Sequence, residues 1–291
     1  MTPSDFIHPE DAAALRQMES IPGFPALVKK FFSLGLEQMQ YGMNMASAIR
    51  LSPTQLPELY HHLPPICQKM GIPEPEFYLE MDPNPNAYTF GDTRIFITVT
   101  SGLVEMMNDE ELDAVIAHEC GHILCRHVLY HSVAEFIRKG ADKLGLLGTL
   151  SEPIMYAILY WERKSELSCD RAASVATSPE AVMRFLARFA GGPRSITEKV
   201  NMEQWAQQAE AYEKIRTDGM WNKALQTLAV LELDHPFNAV RVREIMKWAE
   251  SEQYQQLREN LNMQTSGRRC PACGGAVADG WKFCRHCGAK L

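Results

Sequence analysis

Apolar and polar positions change their period several times along the chain, and each change marks an element. Up to about residue 75 the apolar residues recur at helical intervals between prolines. Met18-Glu-Ser-Ile-Pro-Gly-Phe-Pro25 reads as a loop. Ala26–Ile49 reads as a helix, its methionines spaced as core residues. The period then shortens. Phe77-Tyr-Leu-Glu-Met81 and Arg94-Ile-Phe-Ile-Thr-Val-Thr100 carry the aromatic and β-branched residues of strands, with a turn at Asp82-Pro-Asn-Pro-Asn86. Helical spacing returns at Asn108, which pairs with Glu111 in a capping-box pattern and precedes three acids suited to a helix N-terminus. Leu112, Val115, Ile116, Ile123 and Leu124 carry that helix through Val115-Ile-Ala-His-Glu-Cys-Gly-His-Ile-Leu-Cys-Arg-His127. Glu162–Ala176, Pro179–Phe189, Glu198–Arg216, Trp221–Leu233 and Ala239–Leu261 read as further helices. Thr265–Arg269 is a linker before a cysteine-rich tail. The fold class expected is α+β, predominantly helical with a small β-sheet.

Composition narrows the picture. The 291 residues are 46% hydrophobic and 22% charged, which suits one large or two modest domains plus an appendage. A net charge of −7 argues against a general nucleic-acid binder. Leu144–Trp161 is the most apolar stretch, but Ser151-Glu152-Pro153 divides it into pieces too short for ~30 Å of hydrocarbon. Two buried helices with a turn at Pro153 are expected there, a hairpin on a membrane surface being the alternative. The acid-bearing N-terminus lacks the apolar core of a secretory signal. Four cysteines are scattered and four form two CxxC pairs in the tail, which favours a metal site over disulfides and a cytoplasmic location.

Helix geometry sorts the histidines. At about 100° per residue, His118 and His122 lie about 40° and one turn apart, so two imidazoles can grip one ion. Glu119 stands close enough to act on a water there as general base. Cys120 and His127 fall on the far side, and Cys125 reads as a core thiol. His127 and His131 form a second i, i+4 pair on the back of the same helix, expected to be solvated or hydrogen-bonded, a second metal being the alternative. Zinc catalysis needs a third protein ligand. A HExxHxxGxxH arrangement is excluded, because its last two positions hold Cys125 and Val128. Glu162, Glu166 and Asp170 on a later helix offer carboxylates instead. Glu166 and Asp170 share a face, so one can bind the ion while the other accepts the free N–H of a ligand histidine. Glu166 is the preferred ligand, and Asp170 the orienting group.

These motifs resemble the HtpX and CAAX-prenyl-protease type of gluzincin metallopeptidase. Asn86-Ala-Tyr-Thr-Phe-Gly91, Ile97–Glu105, Glu110–His122, Glu166–Ala173, and His235-Pro236 with Arg241 all follow that family in order and spacing. The resemblance covers roughly Pro73–Lys247. It implies a zincin-like core and a zinc endopeptidase acting on protein or peptide, with His118, His122 and Glu166 as ligands and Glu119 as base. It further implies that Asn86, Ala87, Tyr88 and Arg241 bind substrate and that His235 assists near the active centre. Many relatives carry transmembrane helices around HExxH, and this chain has no segment that qualifies.

Cys270-Pro-Ala-Cys273 and Cys284-Arg-His-Cys287 resemble a zinc ribbon, with four thiolates for one structural zinc beside the one catalytic zinc. Trp281 and Phe283 are its small core, and a protein partner is expected in preference to nucleic acid. The domain reading is an N-terminal helical region at 1–72, a metallopeptidase domain at 73–250, an extension and linker at 251–269, and the ribbon at 270–291. A metal-binding adaptor without hydrolysis, or an enzyme with a covered cleft, is the competing reading.

Overall fold

The computed structural model describes residues 1–33, 35–138, 152–217, 237–265, 271–272 and 289–290. His235, the four tail cysteines, residues 144–151 and the helix expected at 221–233 lie outside them. The chain divides into two compact units, Met1–Trp248 and Ala249–Leu291, and the helices before residue 73 fall inside the first. In chain order the elements are α1 (Pro9–Glu19), α2 (Phe24–Ser33), α3 (Leu36–Ser47), β1 (Ile49–Arg50), α4 (Pro57–Tyr60), α5 (Leu63–Met70), β2 (Glu76–Glu80), β3 (Ala87–Phe90) and β4 (Phe96–Thr100). They continue as α6 (Ser101–Met106), α7 (Asp109–Leu124), α8 (Val128–Arg138), α9 (Glu152–Ala176), α10 (Pro179–Gly191), α11 (Arg194–Thr197), α12 (Met202–Thr217), α13 (Asn238–Ala249) and α14 (Glu252–Thr265).

The sheet runs in the order β1-β2-β4-β3, with β2 and β4 parallel and the other pairs antiparallel. All five residues of β4 are buried, as a central strand with both faces covered requires. β3 pairs with β4 along one side, Ala87 opposite Val99 and Thr89 opposite Ile97, and is an edge strand of the sheet. Trp161, Tyr78, Phe90, Phe96 and Met18 fill the core that joins the sheet to α1, α8 and α9. That burial is the main stabilising force on the frame.

The helix carrying HExxH is anchored at its start. Asn108 Oδ1 accepts from the Glu111 N–H at 2.9 Å, and Glu111 Oε2 accepts from the Asn108 N–H at 3.2 Å. Glu111 is also buried against Arg188 of α10, with Nη2 to Oε1 at 2.7 Å, so the cap doubles as a tertiary tie. At the other end the expectation fails. α7 stops at Leu124 instead of running through His127. The His127 N–H donates to the His122 carbonyl and the Arg126 N–H to the Ile123 carbonyl, with Arg126 at φ 60. This is a Schellman stop made without glycine, and so invisible to a search for one. His127 and His131 consequently belong to α8 and its approach, not to the back of α7.

Three other boundaries move. α9 is a single helix of 25 residues that contains Pro153 in its first turn, where proline costs no hydrogen bond, so no turn divides it there. The span expected as one helix from Ala26 becomes α2 and α3, and the span from Ala239 becomes α13 and α14 with Ser251 capping the Tyr254 N–H. No helix among the described residues is long and apolar enough to cross a membrane.

Candidate active site

α7 and α9 cross at a glycine. A Cβ on Gly121 would stand 3.1 Å from the Cys169 Cα and 3.3 Å from the Ala172 Cβ, so any larger residue would press the helices apart by a few tenths of an ångström. That approach sets Glu166 of α9 against the two histidines of α7. His118 Nε2 lies 3.3 Å from His122 Nε2 and 3.3 Å from Glu166 Oε2, and His122 Nε2 lies 3.4 Å from Glu166 Oε1. A tetrahedron with zinc–ligand arms of about 2.05 Å has edges of about 3.3 Å. The two ring nitrogens and the Glu166 carboxylate therefore stand near the spacing zinc requires, each ring facing a different carboxylate oxygen, and two imidazoles with one carboxylate are a donor set that leaves a position for water.

The carboxylate four residues beyond Glu166 holds the set. Asp170 Oδ1 accepts from His118 Nδ1 at 2.9 Å, which leaves the lone pair on Nε2 for the metal. Arg241 of α13 grips Asp170 with two charge-assisted bonds, Nε to Oδ2 and Nη2 to Oδ1, both 2.7 Å. Its Nη1 lies 3.2 Å from Glu166 Oε2. Burial alone would raise the Asp170 pKa, but the Arg241 charge and hydrogen bonds hold it below the usual carboxylate range. Burial pushes His118 down, yet the Glu166 charge and the Asp170 hydrogen bond outweigh it and raise its pKa to about 9. For His122 burial prevails and the pKa falls. The field that draws a proton to His118 favours a divalent cation for the same reason.

Glu119 is 2% exposed beside the triad, and its Oε2 accepts from Thr89 Oγ1 at 2.7 Å. Thr89 sits on β3, so the edge strand fixes the carboxylate's direction. A cavity of about 10 Å³, near the size of one water, is lined by Ala87, Val115, His118, Glu119, Phe185 and Arg241 among others. A larger cavity of about 350 Å³, bordered by Ala187, Thr197, Trp205 and Gln208, has no titratable side chain in its wall.

The expected substrate residues take different places. Ala87 faces the small cavity, while the Tyr88 hydroxyl donates to Glu80 at 3.0 Å on the other face of the strand. The Asn86 N–H donates to Thr100 Oγ1 at 2.9 Å and its carbonyl accepts from the Thr100 N–H at 3.0 Å, so its backbone is committed to the sheet end. Arg241 borders the cavity, but its hydrogen bonds go to Asp170. Glu162 turns from the triad toward His131. Cys120 is buried away from the triad, as expected of the far face, and Cys125 caps the end of α7. Reading the sequence missed Thr89, Phe185 and the bond from Arg241 to Asp170. Period-two spacing puts Thr89 on the same strand face as Ala87, a signal that was present; nothing in the sequence pairs Arg241 with Asp170.

Comparisons with known proteins agree with this geometry. The model of peptidase family M48 matches residues 53–249, and a zinc-ribbon domain model matches residues 266–291. The chain is 32% identical over 268 residues to the plastoglobule-localized metallopeptidase 48, chloroplastic, of Arabidopsis thaliana, covering 90% of this chain and 77% of the relative. It is 28% identical over 143 residues to a protease HtpX homologue of Tropheryma whipplei, covering 48% of this chain and 45% of that protein. A protease HtpX homologue of Pelotomaculum thermopropionicum is 32% identical over 117 residues, 38% of this chain and 42% of the relative. The chain thus spans less than half the length of these two HtpX relatives. No solved structure matches. With the family model covering most of the chain and the expected resemblance borne out, the protein belongs to peptidase family M48 and is a zinc-dependent metallopeptidase.

Proposed function

We propose that the chain is an endopeptidase in which His118, His122 and Glu166 hold the catalytic zinc and Glu119 is the general base. The observation that carries this reading is the pair of ring nitrogens 3.3 Å apart, each 3.3–3.4 Å from an oxygen of the Glu166 carboxylate, with Glu119 beside them. Bound zinc supplies the Lewis acidity that makes water a nucleophile near neutral pH and polarises the scissile carbonyl. Glu119 takes the proton from the attacking water and delivers it to the leaving amine. Thr89 orients that carboxylate, and Asp170, neutralised by Arg241, keeps His118 in the tautomer that ligates. Arg241 serves here as a positioning residue. An extended peptide pairs with the free edge of β3, with Ala87 beside the scissile bond, and His235 offsets the charge on the tetrahedral oxygen.

In the tail, Cys270, Cys273, Cys284 and Cys287 hold a second, structural zinc, and the ribbon docks a protein partner in preference to nucleic acid. The chain works in the cytoplasm, a location supported by its four unpaired thiols among the described residues. The plastoglobule-localized relative makes a lipid surface the second location to examine.

Peptide-library cleavage read by mass spectrometry tests the chemistry. The parent cleaves, and Glu119→Gln retains its zinc but loses at least ~10²-fold in rate, the scale of a general base. A Glu119→Gln chain as active as the parent removes the assignment.

A further inference from the structure

The turn at Cys125–His127 sets a second group of imidazoles against the first. His122, His127 and His131 each offer a ring nitrogen, and these lie within 4.8 Å of one another. His122 belongs to both groups. Its Nε2 faces His118 and Glu166, while its Nδ1 is buried with no hydrogen-bond partner. His127 is 1% exposed, and its Nε2 also makes no hydrogen bond, although Asp11 Oδ2 stands 3.2 Å away off the N–H line.

His131 completes the group. The Ser165 hydroxyl donates to the Glu162 carbonyl at 2.7 Å, so Ser165 Oγ accepts from His131 Nε2, also at 2.7 Å. In the neutral ring the lone pair is then on Nδ1, 3.5 Å from Glu162 Oε1. Two buried ring nitrogens without hydrogen bonds are costly for protein atoms alone. A divalent cation among the three rings would satisfy both. Imidazole donors suit zinc, copper or nickel rather than hard cations. The buried carboxylates of Asp11 and Glu162 supply compensating charge.

We propose that His122, His127 and His131 form a further divalent-metal site, distinct from the catalytic set and the ribbon and sharing His122 with the former. His122 would be shared through its two ring nitrogens, Nε2 on the catalytic side and Nδ1 on the other. The ions repel across that ring, so the second binds more weakly than the first. Its charge beside the catalytic set also weakens the hold on the first ion and slows cleavage. The site is a brake that responds to excess zinc.

Full-length protein stripped with a chelator and titrated with zinc alone takes up one ion more than its His131→Asn variant, counted by plasma mass spectrometry after gel filtration. Glu166→Gln loses a different ion, so failure of the catalytic assignment registers there and not at His131. The zinc concentration that half-inhibits cleavage rises at least about tenfold in His131→Asn, the scale on which metal sites lose affinity with a supporting group. Equal zinc counts in the parent and a His131→Asn chain of unchanged circular dichroism overturn the proposal. The unaltered chain gives an independent measurement. Crystals grown in excess zinc show an anomalous peak between the His127 and His131 rings, and ordinary water density without anomalous signal there overturns the proposal equally.

Discussion

At the scale of single residues, the sequence displayed the candidate donors and one of their supports, but not the others. His118, Glu119, His122 and Glu166 were legible because helix periodicity fixes which side chains share a face. Asp170 followed from the same arithmetic. Thr89 and Arg241 were not legible as supports, because their partners lie 30 and 71 positions away and local periodicity carries no such information. The Asp170 grip has a measurable effect. Asp170→Asn keeps a hydrogen-bonding side chain but removes the charge, and zinc affinity falls ~10–100-fold by competition titration. A second residue-scale effect depends on pH. His62 Nδ1 and Asp113 Oδ1, 2.7 Å apart, tie α5 to the HExxH helix. The Asp113 hydrogen bond raises the His62 pKa above 6.5 against the opposing effect of burial. The folded form therefore holds that proton more tightly than the unfolded chain. The resulting stability is full below pH 6.5 and is lost as pH rises through the folded value. Asp113→Asn should lower thermal stability at pH 6 by no more than ~1 kcal/mol, since Asp113 is partly exposed, and the difference should shrink by pH 9.

At the scale of elements, helix starts were more legible than helix ends. The Asn108 cap formed as its residue types require, whereas the end of α7 rests on Arg126 in a conformation that glycine adopts freely. An L-residue held left-handed costs ~1–2 kcal/mol, of which the extra chain entropy of glycine offsets roughly half. Arg126→Gly should therefore stabilise the fold by ~0.5–1 kcal/mol in denaturant unfolding, with the zinc site unchanged. A decrease in stability would mean that the arginine side chain contributes more than its backbone costs. The missed end decided the position of His127 and His131, so one turn residue moves this histidine pair from the back of α7 to a place where His127 is buried and His131 half-buried. α9 was misread for the opposite reason. Pro153 looked like a break, but a proline in the first turn starts a helix.

At the scale of the whole molecule, the order of helices and strands and the presence of a metallopeptidase segment followed by a ribbon were legible, because each carries its own motif. Separate metal sets imply separate losses. Cys273→Ser should remove one zinc from the chain and leave cleavage of a short peptide within about twofold, since sites without shared partners behave additively. Coverage of the cleft was not legible, because it depends on how closely α10, α13 and β3 meet above α7. Glu119, the proposed base, borders a space of about 10 Å³ among the described residues, too small for a peptide backbone. On the proposed mechanism, cleavage therefore needs a form in which these elements stand farther apart. Every tenfold scarcity of that form weakens apparent substrate binding tenfold, or about 1.4 kcal/mol. Selectivity then lies less in which side chain fits beside the metal than in what prises the helices apart. A binding partner that stabilises the parted form would raise kcat/KM without touching a single group that takes part in the reaction.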